Sequence, residues 1–319
     1  MMNWTPPSQD TTTLLELLQR RGVGPAKVRE VVRRARADKS DTRAAADALL
    51  PPLDAHAREA ARAECERIVA RCAELDLTLV GLLDTAYPPR LAAIPDPPPV
   101  IYVRGSVDLL QETAIAVVGT REASTSGLRA AHTIAEFLVR RGIVVVSGLA
   151  LGIDAAAHRG ALAGGGKTVA VLAHGLHMVA PTTNRAIAAQ LLERGGTLMS
   201  EHPPDVPPRP AEFVRRNRMQ SGLSIASIVV ESGVEGGAIH QAQFTVDQKR
   251  VLVVVRASGR SETSDLREDG ARVLMARHKA RPITGTADLG ALLPELSRDI
   301  PGWQDPSATV PVQEPLWKP

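Results

Sequence analysis

Val117-Val118-Gly119-Thr120-Arg121 and, further along, Val144-Val145-Val146-Ser147-Gly148-Leu149-Ala150-Leu151-Gly152-Ile153-Asp154 break in the same way. In each, an apolar run too short for a membrane helix stops at Gly, a small hydroxyl side chain sits beside that Gly, and a helical pattern begins soon after. Backbone N–H groups exposed where glycine permits close approach, facing a helix N-terminus, favour an anion. The two stretches therefore predict an open α/β sheet and a phosphate-bearing ligand at its edge.

The text around them alternates. Apolar runs at 114–118, 143–147, 168–172, 197–199, 227–231 and 250–255 are separated by helical patterns at about 127–141, 154–163, 184–194, 215–225 and 237–247. The runs are unbroken Val, Ile, Leu and Ala with no polar alternation, as expected of strands covered by helices on both faces. This predicts a doubly wound, mostly parallel, Rossmann-like sheet, with an extended domain over 76–285. In front of it, helices at 13–20 and 26–37 flank Gly22-Val23-Gly24-Pro25, and a longer one runs over 54–75. Pro at the first helical position after such a turn resembles a helix-hairpin-helix, so 13–75 is read as a small all-helical module. Residues 1–12 are read as a disordered tail and 286–319 as a short helix followed by a Pro-rich tail. Ile94-Pro95-Asp96-Pro97-Pro98-Pro99 reads as an extended connector near a domain border.

Bulk properties narrow the class. With 319 residues, 44% hydrophobic and 23% charged, the chain has ordinary globular composition. The formal charge of +3 permits nucleic-acid binding without demanding it. Basic residues cluster between Leu14 and Arg43 and again at Arg209, Arg215, Arg216 and Arg218. Cys65 and Cys72, seven apart on one helical pattern, are too distant for a disulfide. No signal peptide or membrane span is legible, so the expected location is the cytoplasm.

Ligands of such sheets bind beyond the carboxyl ends of the strands. That rule, with the basic clusters, selects Gly119, Thr120, Arg121, Ser124, Ser147, Gly148, Gly152, Lys167, Arg215, Arg216, Asn217, Arg218, Gly236 and Gly237 as phosphate-binding candidates. Arg121 leads them, because its planar fork can contact two phosphate oxygens. Asp154, His158, Glu201 and Glu231 are read as structural support; Asp154 and His158, four apart, lack a third metal ligand and read as an N-cap and a hydrogen-bonded histidine. Spaced dinucleotide glycines and a Walker loop are both missing, and no serine sits in a nucleophile elbow. The expectation is a binding protein with no catalytic set, no metal and no cofactor. Aromatic residues make up only 3%, so an aromatic base-stacking platform is not expected, Phe213 being the one aromatic placed to help.

Taken in order, several segments resemble the DprA/Smf family. They are Asp84-Thr85-Ala86-Tyr87-Pro88-Pro89-Arg90-Leu91, Tyr102-Val103-Arg104-Gly105, Val118 to Ser124, Ser147 to Ala150 with Gly152-Ile153-Asp154 and Ala157-His158, Thr168 to Leu172, Ser200-Glu201, and Arg216-Asn217-Arg218 with Gly222-Leu223-Ser224. The resemblance covers roughly residues 75–256. It implies a Rossmann-like domain behind a helical one, a homodimer, and a basic pocket for single-stranded DNA in which Arg121 and Arg216 to Arg218 belong. It further implies protection of incoming single-stranded DNA and loading of a RecA-type recombinase during natural transformation. Binding through phosphates should weaken steeply with salt.

Departures accompany the match. Ala173-His174-Gly175-Leu176-His177 with Ala180-Pro181-Thr182, Glu235 to Ala242, and Arg256-Ala257-Ser258 differ from the usual family text, and the tail is too short for the winged helix with which many members end. The same superfamily holds nucleotide sensors and phosphoribohydrolases, and Glu231 to Gly237 faintly echoes their loop. A mononucleotide ligand is therefore the alternative.

Overall fold

The sheet is built from the quoted runs. A computed structural model describes residues 4–258 and 264–296. Four helices come first, α1 (Gln9–Leu18), α2 (Pro25–Asp38), α3 (Thr42–Leu49) and α4 (Ala55–Glu74). Then follow β1 (Thr78–Gly81), α5 (Pro89–Ala92), β2 (Val100–Gly105), β3 (Ala114–Val118), α6 (Thr125–Val139), β4 (Val144–Ser147), α7 (Ile153–Ala163), β5 (Thr168–Leu172), α8 (Arg185–Glu193) and β6 (Thr197–Ser200). The chain continues through α9 (Pro210–Leu223), β7 (Ala226–Val229), α10 (Gly237–Asp247), β8 (Val251–Val255), α11 (Asp269–His278), β9 (Arg281–Ile283) and α12 (Thr286–Leu296).

The nine strands form one sheet in the order β1-β2-β6-β5-β4-β3-β7-β8-β9. Seven of them are mutually parallel, and β2 and β1 close one end antiparallel. Strand order reverses at β3, which has β4 on one side and β7 on the other; a crevice opens beyond the carboxyl ends of strands at such a switch point.

Alternate residues of each strand feed opposite faces. Ile115, Val117, Val145, Ile228 and Val253 pack under α6, α7 and α12, while Ala116, Val118, Val146, Val229 and Val254 pack under α9, α10 and α11. Each fully buried Val or Ile contributes about 1.5–3 kcal/mol relative to an exposed one, which is why Val, Ile, Leu and Ala dominate these runs.

Three organisational expectations change. Residues 4–12 are not a loose tail: Trp4 Nε1 donates to Leu77 O (2.9 Å), and Ser8 caps α1 by accepting from Thr11 N. The expected connector at 94–99 belongs to the segment joining two strands of the one sheet, the antiparallel pair β1 and β2, and Leu82 N donates to Pro99 O (2.9 Å). The N-terminal helices share one buried cluster with β1, β2 and the parallel strands. At the other end, α12 packs on the α6 face of the sheet; residues 297–319, read as the Pro-rich tail, lie outside the described residues. Among the described residues no helix is long and apolar enough to cross a membrane, and Cys65 and Cys72 are free, buried thiols pushed by burial to about 11 and about 12.

Candidate functional site

A cleft of about 520 Å³ opens where β3, β4 and β7 end, with α9 as its wall. Its floor is the turn Gly119-Thr120, and that turn is clamped. Thr120 N donates to Glu231 O (2.7 Å), and a Cβ on Gly119 would lie 2.6 Å from Ile153 Cγ1 and 2.7 Å from Glu231 O. The second quoted turn packs directly on the first. Ile153 N donates to Thr120 O (3.2 Å), and Gly152, at φ +74°, leaves no room for a Cβ against that same carbonyl. Glycine is needed here for two backbones to meet.

Two helices begin at the cleft without a side-chain cap. One is α7, after Gly152; the other is α10, after Gly236 at φ +125°. Uncapped N-termini carry partial positive charge and free amide donors, which favour an anion. A Cβ built on Gly236 or Gly237 would meet nothing within 4 Å. Packing therefore does not demand Gly237; its smallness leaves open space in the cleft wall.

Two arginines add formal charge. Arg121 is exposed, with its guanidinium carbon 5.3 Å from the centroid of the Phe213 ring, a cation–π distance that holds it over the cleft. Arg216 lies deeper and is 4% exposed. Its Nη1 donates to Val171 O, and its Nε has no partner. Burial pulls Arg216 down to about 10, against the favourable field of Asp154, so it is charged at neutral pH. Asp154 is itself raised by burial, although it accepts from Gly148 N (3.1 Å) and faces Arg216. Gln220 completes the network, its amide oxygen facing Arg216 Nη1 (2.7 Å) and Gly148 N (3.0 Å) and its nitrogen reaching Gln241 Oε1 (3.1 Å). Asn217 Nδ2 donates to Gly237 O (3.1 Å), tying α9 to the start of α10.

Gly119, Thr120, Arg121, Arg216, Asn217, Gly236 and Gly237 thus meet at one cleft, with Asp154 beside them. The other candidates do not. Arg218 points away, buried at 1% exposure, in a two-pronged pair with Glu201 (2.7 and 2.8 Å) and a contact to Asp96 (2.7 Å). Burial would raise the Glu201 carboxyl, yet Arg218 more than offsets this and holds it below 4.5. Arg215 is on the same side, 3.7 Å from Glu201 and 3.9 Å from Glu212. Ser147 is fully buried, donating to Val117 O (2.7 Å), and Gly148 is small because Arg216 Nη1 occupies the space a Cβ would take. Lys167 precedes β5 and so sits at the amino edge of the sheet, opposite the cleft.

Ser124 is an N-cap. Its Oγ accepts from Gly127 N (3.0 Å) and donates to the buried Glu231 (2.6 Å), which Arg267 also binds (2.7 Å). Asp265 accepts from Thr125 N (3.1 Å) and Ser126 N (2.9 Å). The N-terminus of α6, the first place a phosphate would be sought, is thus filled by the protein's own carboxylates. The starts of α7 and α10 flank the cleft instead.

His158 is fully buried, and burial lowers it to about 3. Thr168 Oγ1 spends its proton on Val145 O (2.6 Å), so it accepts from His158 Nδ1 (2.9 Å), which assigns the proton to Nδ1. That is a packing role. Among the described residues, Glu201, His202 and Glu212 form a group with metal-ligand spacing, but Arg218 and Arg215 already neutralise Glu201. Residue-by-residue reading overlooks Gln220, Gln241, Asp265 and Arg267; the spacing of Gln220 one turn after Arg216 is the signal that could have found it.

Fold and cleft together define a Rossmann-like protein with a crevice at its switch point, lined by Arg121 and Arg216. The chain belongs to the family described as DNA recombination-mediator protein A, whose profile matches residues 78–293. The Escherichia coli protein Smf is 43% identical over 164 residues, 51% of this chain and 44% of that protein. The Bacillus subtilis DNA processing protein DprA is 31% identical over 230 residues, 72% of this chain and 75% of that protein. The chain thus aligns with less than half the length of the Escherichia coli relative. Among solved structures, DNA processing protein A from Streptococcus pneumoniae superposes with a TM-score of 0.72 at 25% identity, covering 88% of this chain and 97% of that one. The Helicobacter pylori protein, described in a single-stranded DNA binding mode, gives a TM-score of 0.60 at 25% identity over 69% and 96% of the two chains.

Proposed function

We propose that the cleft binds single-stranded DNA by its phosphates, and that the protein is a recombination mediator. In that role it shields incoming single strands and passes them to a RecA-type recombinase during DNA uptake, working as a homodimer. The observation that carries the reading is one cleft lined by Arg121, Arg216 and the open Gly236-Gly237 stretch, beside two helix starts without a side-chain cap. Family membership and the binding described for the Helicobacter pylori relative support it. Of the cleft carboxylates Glu122, Asp154 and Glu235, Asp154 is committed to Gly148 N and faces Arg216.

Charge sets the strength of binding. With Arg215, Arg218 and Lys167 directed elsewhere, two arginines remain in the cleft, so its own contribution to the salt slope is about −1.4 (roughly −0.7 per neutralised phosphate), shallower than four cations would give. Fluorescence anisotropy with single- and double-stranded oligonucleotides of equal length, titrated over salt, tests this. Preference for the single strand and loss of affinity in Arg121→Ala support the reading; a flat salt response with unchanged binding by Arg121→Ala overturns it.

The size of the cleft favours one second reading, a mononucleotide or signalling nucleotide, since about 520 Å³ falls in the range of small-ligand sites. Thermal stabilisation by AMP, or release of free base from it, with no oligonucleotide binding, would establish that alternative.

A further inference from the structure

Among the described residues the large apolar side chains left exposed are Leu49, Leu128, Leu151 and Val234. Leu151 and Val234, 46% and 54% exposed, are the two most open. Both lie on loops that form the cleft. Leu151 follows Ala150 in the turn after β4, and Val234 stands between Gly233 and Glu235 after β7; Ala150, Gly233 and Glu235 all line the cleft. Because β4 and β7 flank β3, the two loops leave the sheet on either side of the Gly119-Arg121 turn, about 10 Å apart at strand level.

The Leu151 side is held rather than loose. Asn184 Nδ2 donates to Leu149 O (2.8 Å) and Ala150 O (3.1 Å), Leu149 is fixed at φ +57°, and Gly152 is pinned against Thr120. A leucine kept facing water by a braced loop has no packing reason to be there. Resting on the proposed single-strand binding, we infer that Leu151 and Val234 contact the nucleobases of the strand whose phosphates lie on Arg121 and the α10 start. A single strand exposes apolar base faces beside its charged backbone, which matches exposed apolar side chains on loops beside Arg121 and Arg216. The one ring at the cleft, Phe213, already carries the Arg121 guanidinium, so aliphatic side chains take the place of an aromatic platform.

The test compares oligothymidylate with an abasic oligonucleotide of equal length and charge, on the full chain. Wild type should bind the base-bearing strand about 10-fold more tightly, the scale expected from covering two half-exposed aliphatic side chains. Leu151→Ser with Val234→Ser should remove that preference while abasic binding, salt slope and melting temperature stay as in wild type; single alanine variants should each remove part. Equal loss on both strands, or none on either, overturns the inference while leaving the phosphate reading intact. So does a change in mass by light scattering with base preference retained, which would make the pair a contact between copies of the chain. Failure of wild type to bind either oligonucleotide overturns the underlying reading as well.

Discussion

Arg215, Arg216, Asn217 and Arg218 are consecutive, but an α-helix turns about 100° per residue, so four neighbours cannot share one cleft. Arg216, Asn217 and Gln220 face it, and Arg215 and Arg218 face Glu201. The sequence displays the cluster and hides this division, because burial of a carboxylate partner leaves no mark on the text around an arginine. Arg218→Ala should therefore cost stability rather than DNA contacts: removing one member of a buried pair costs about 3–5 kcal/mol. The pH dependence has a definite sign. Glu201, held below its ordinary 4.5 in the fold, stabilises the protein above that pH and loses the effect as pH falls through the lowered value. In Arg218→Ala the paired guanidinium that outweighs burial is gone, only Arg215 and His202 still oppose it, and the carboxyl gains from protonation, so the melting-temperature gap between wild type and variant should be widest near pH 7 and shrink toward pH 4. A gap independent of pH would contradict the pairing. Gly237 makes the opposite case. A Cβ at Gly237 meets no protein atom within 4 Å, so in Gly237→Ala stability should stay within about 0.5 kcal/mol, while oligonucleotide affinity falls about 10-fold as the methyl group enters the cleft.

Elements were legible where one physical rule governed them. Apolar runs locate β3 and β5 to the residue, and β4 and β7 nearly so, because strands covered on both faces are mostly apolar and admit only small hydroxyls with a hydrogen-bond partner, such as Ser147 and Thr168. The strand β2 escapes this reading; it follows a proline-rich stretch and pairs antiparallel, in a register that depends on β6 far along the chain. Short α3 lies in an Ala-rich stretch whose buried face is only Thr42, Ala45 and Ala46, too weak a period to declare itself. Helix contacts are likewise invisible in one dimension. Within α7, Gly160 sits where a Cβ would collide with the backbone carbonyl of His132 in α6, so the two helices approach at backbone distance. Gly160→Ala should gain a little in helix propensity and lose more by forcing the pair apart, a net cost of about 1–3 kcal/mol. The melting temperature should drop by roughly 2–10 °C. A more stable variant would show that α6 and α7 can separate freely.

At the scale of the molecule, the apparent boundary between helical module and sheet is a continuous core. The fully buried Leu77 and the nearly buried Leu79 and Tyr102 belong to the same cluster as Leu14, Leu17 and Val28 of the helices. Polar ties cross the same seam. Ser8 and Thr11 each donate to Asp84 at 2.6 Å, Arg36 donates to Leu82 O (2.9 Å), and Arg71 pairs with Asp205 (3.0 Å). Of these the exposed Arg71 pair adds little, but stripping the helices would expose the apolar cluster and leave the Asp84 carboxylate with fewer donors. A chain beginning at residue 76 should therefore lose its cooperative calorimetric transition and bind a hydrophobic dye, whereas the whole chain should melt as one unit. A fragment that melts cooperatively within a few degrees of the full protein would instead show that the helices are a detachable module. The charge on those helices is then best probed in place. Arg33 and Arg34 are exposed on α2, and replacing both by Gln leaves the shared core intact while testing whether this face adds to the salt slope of the cleft.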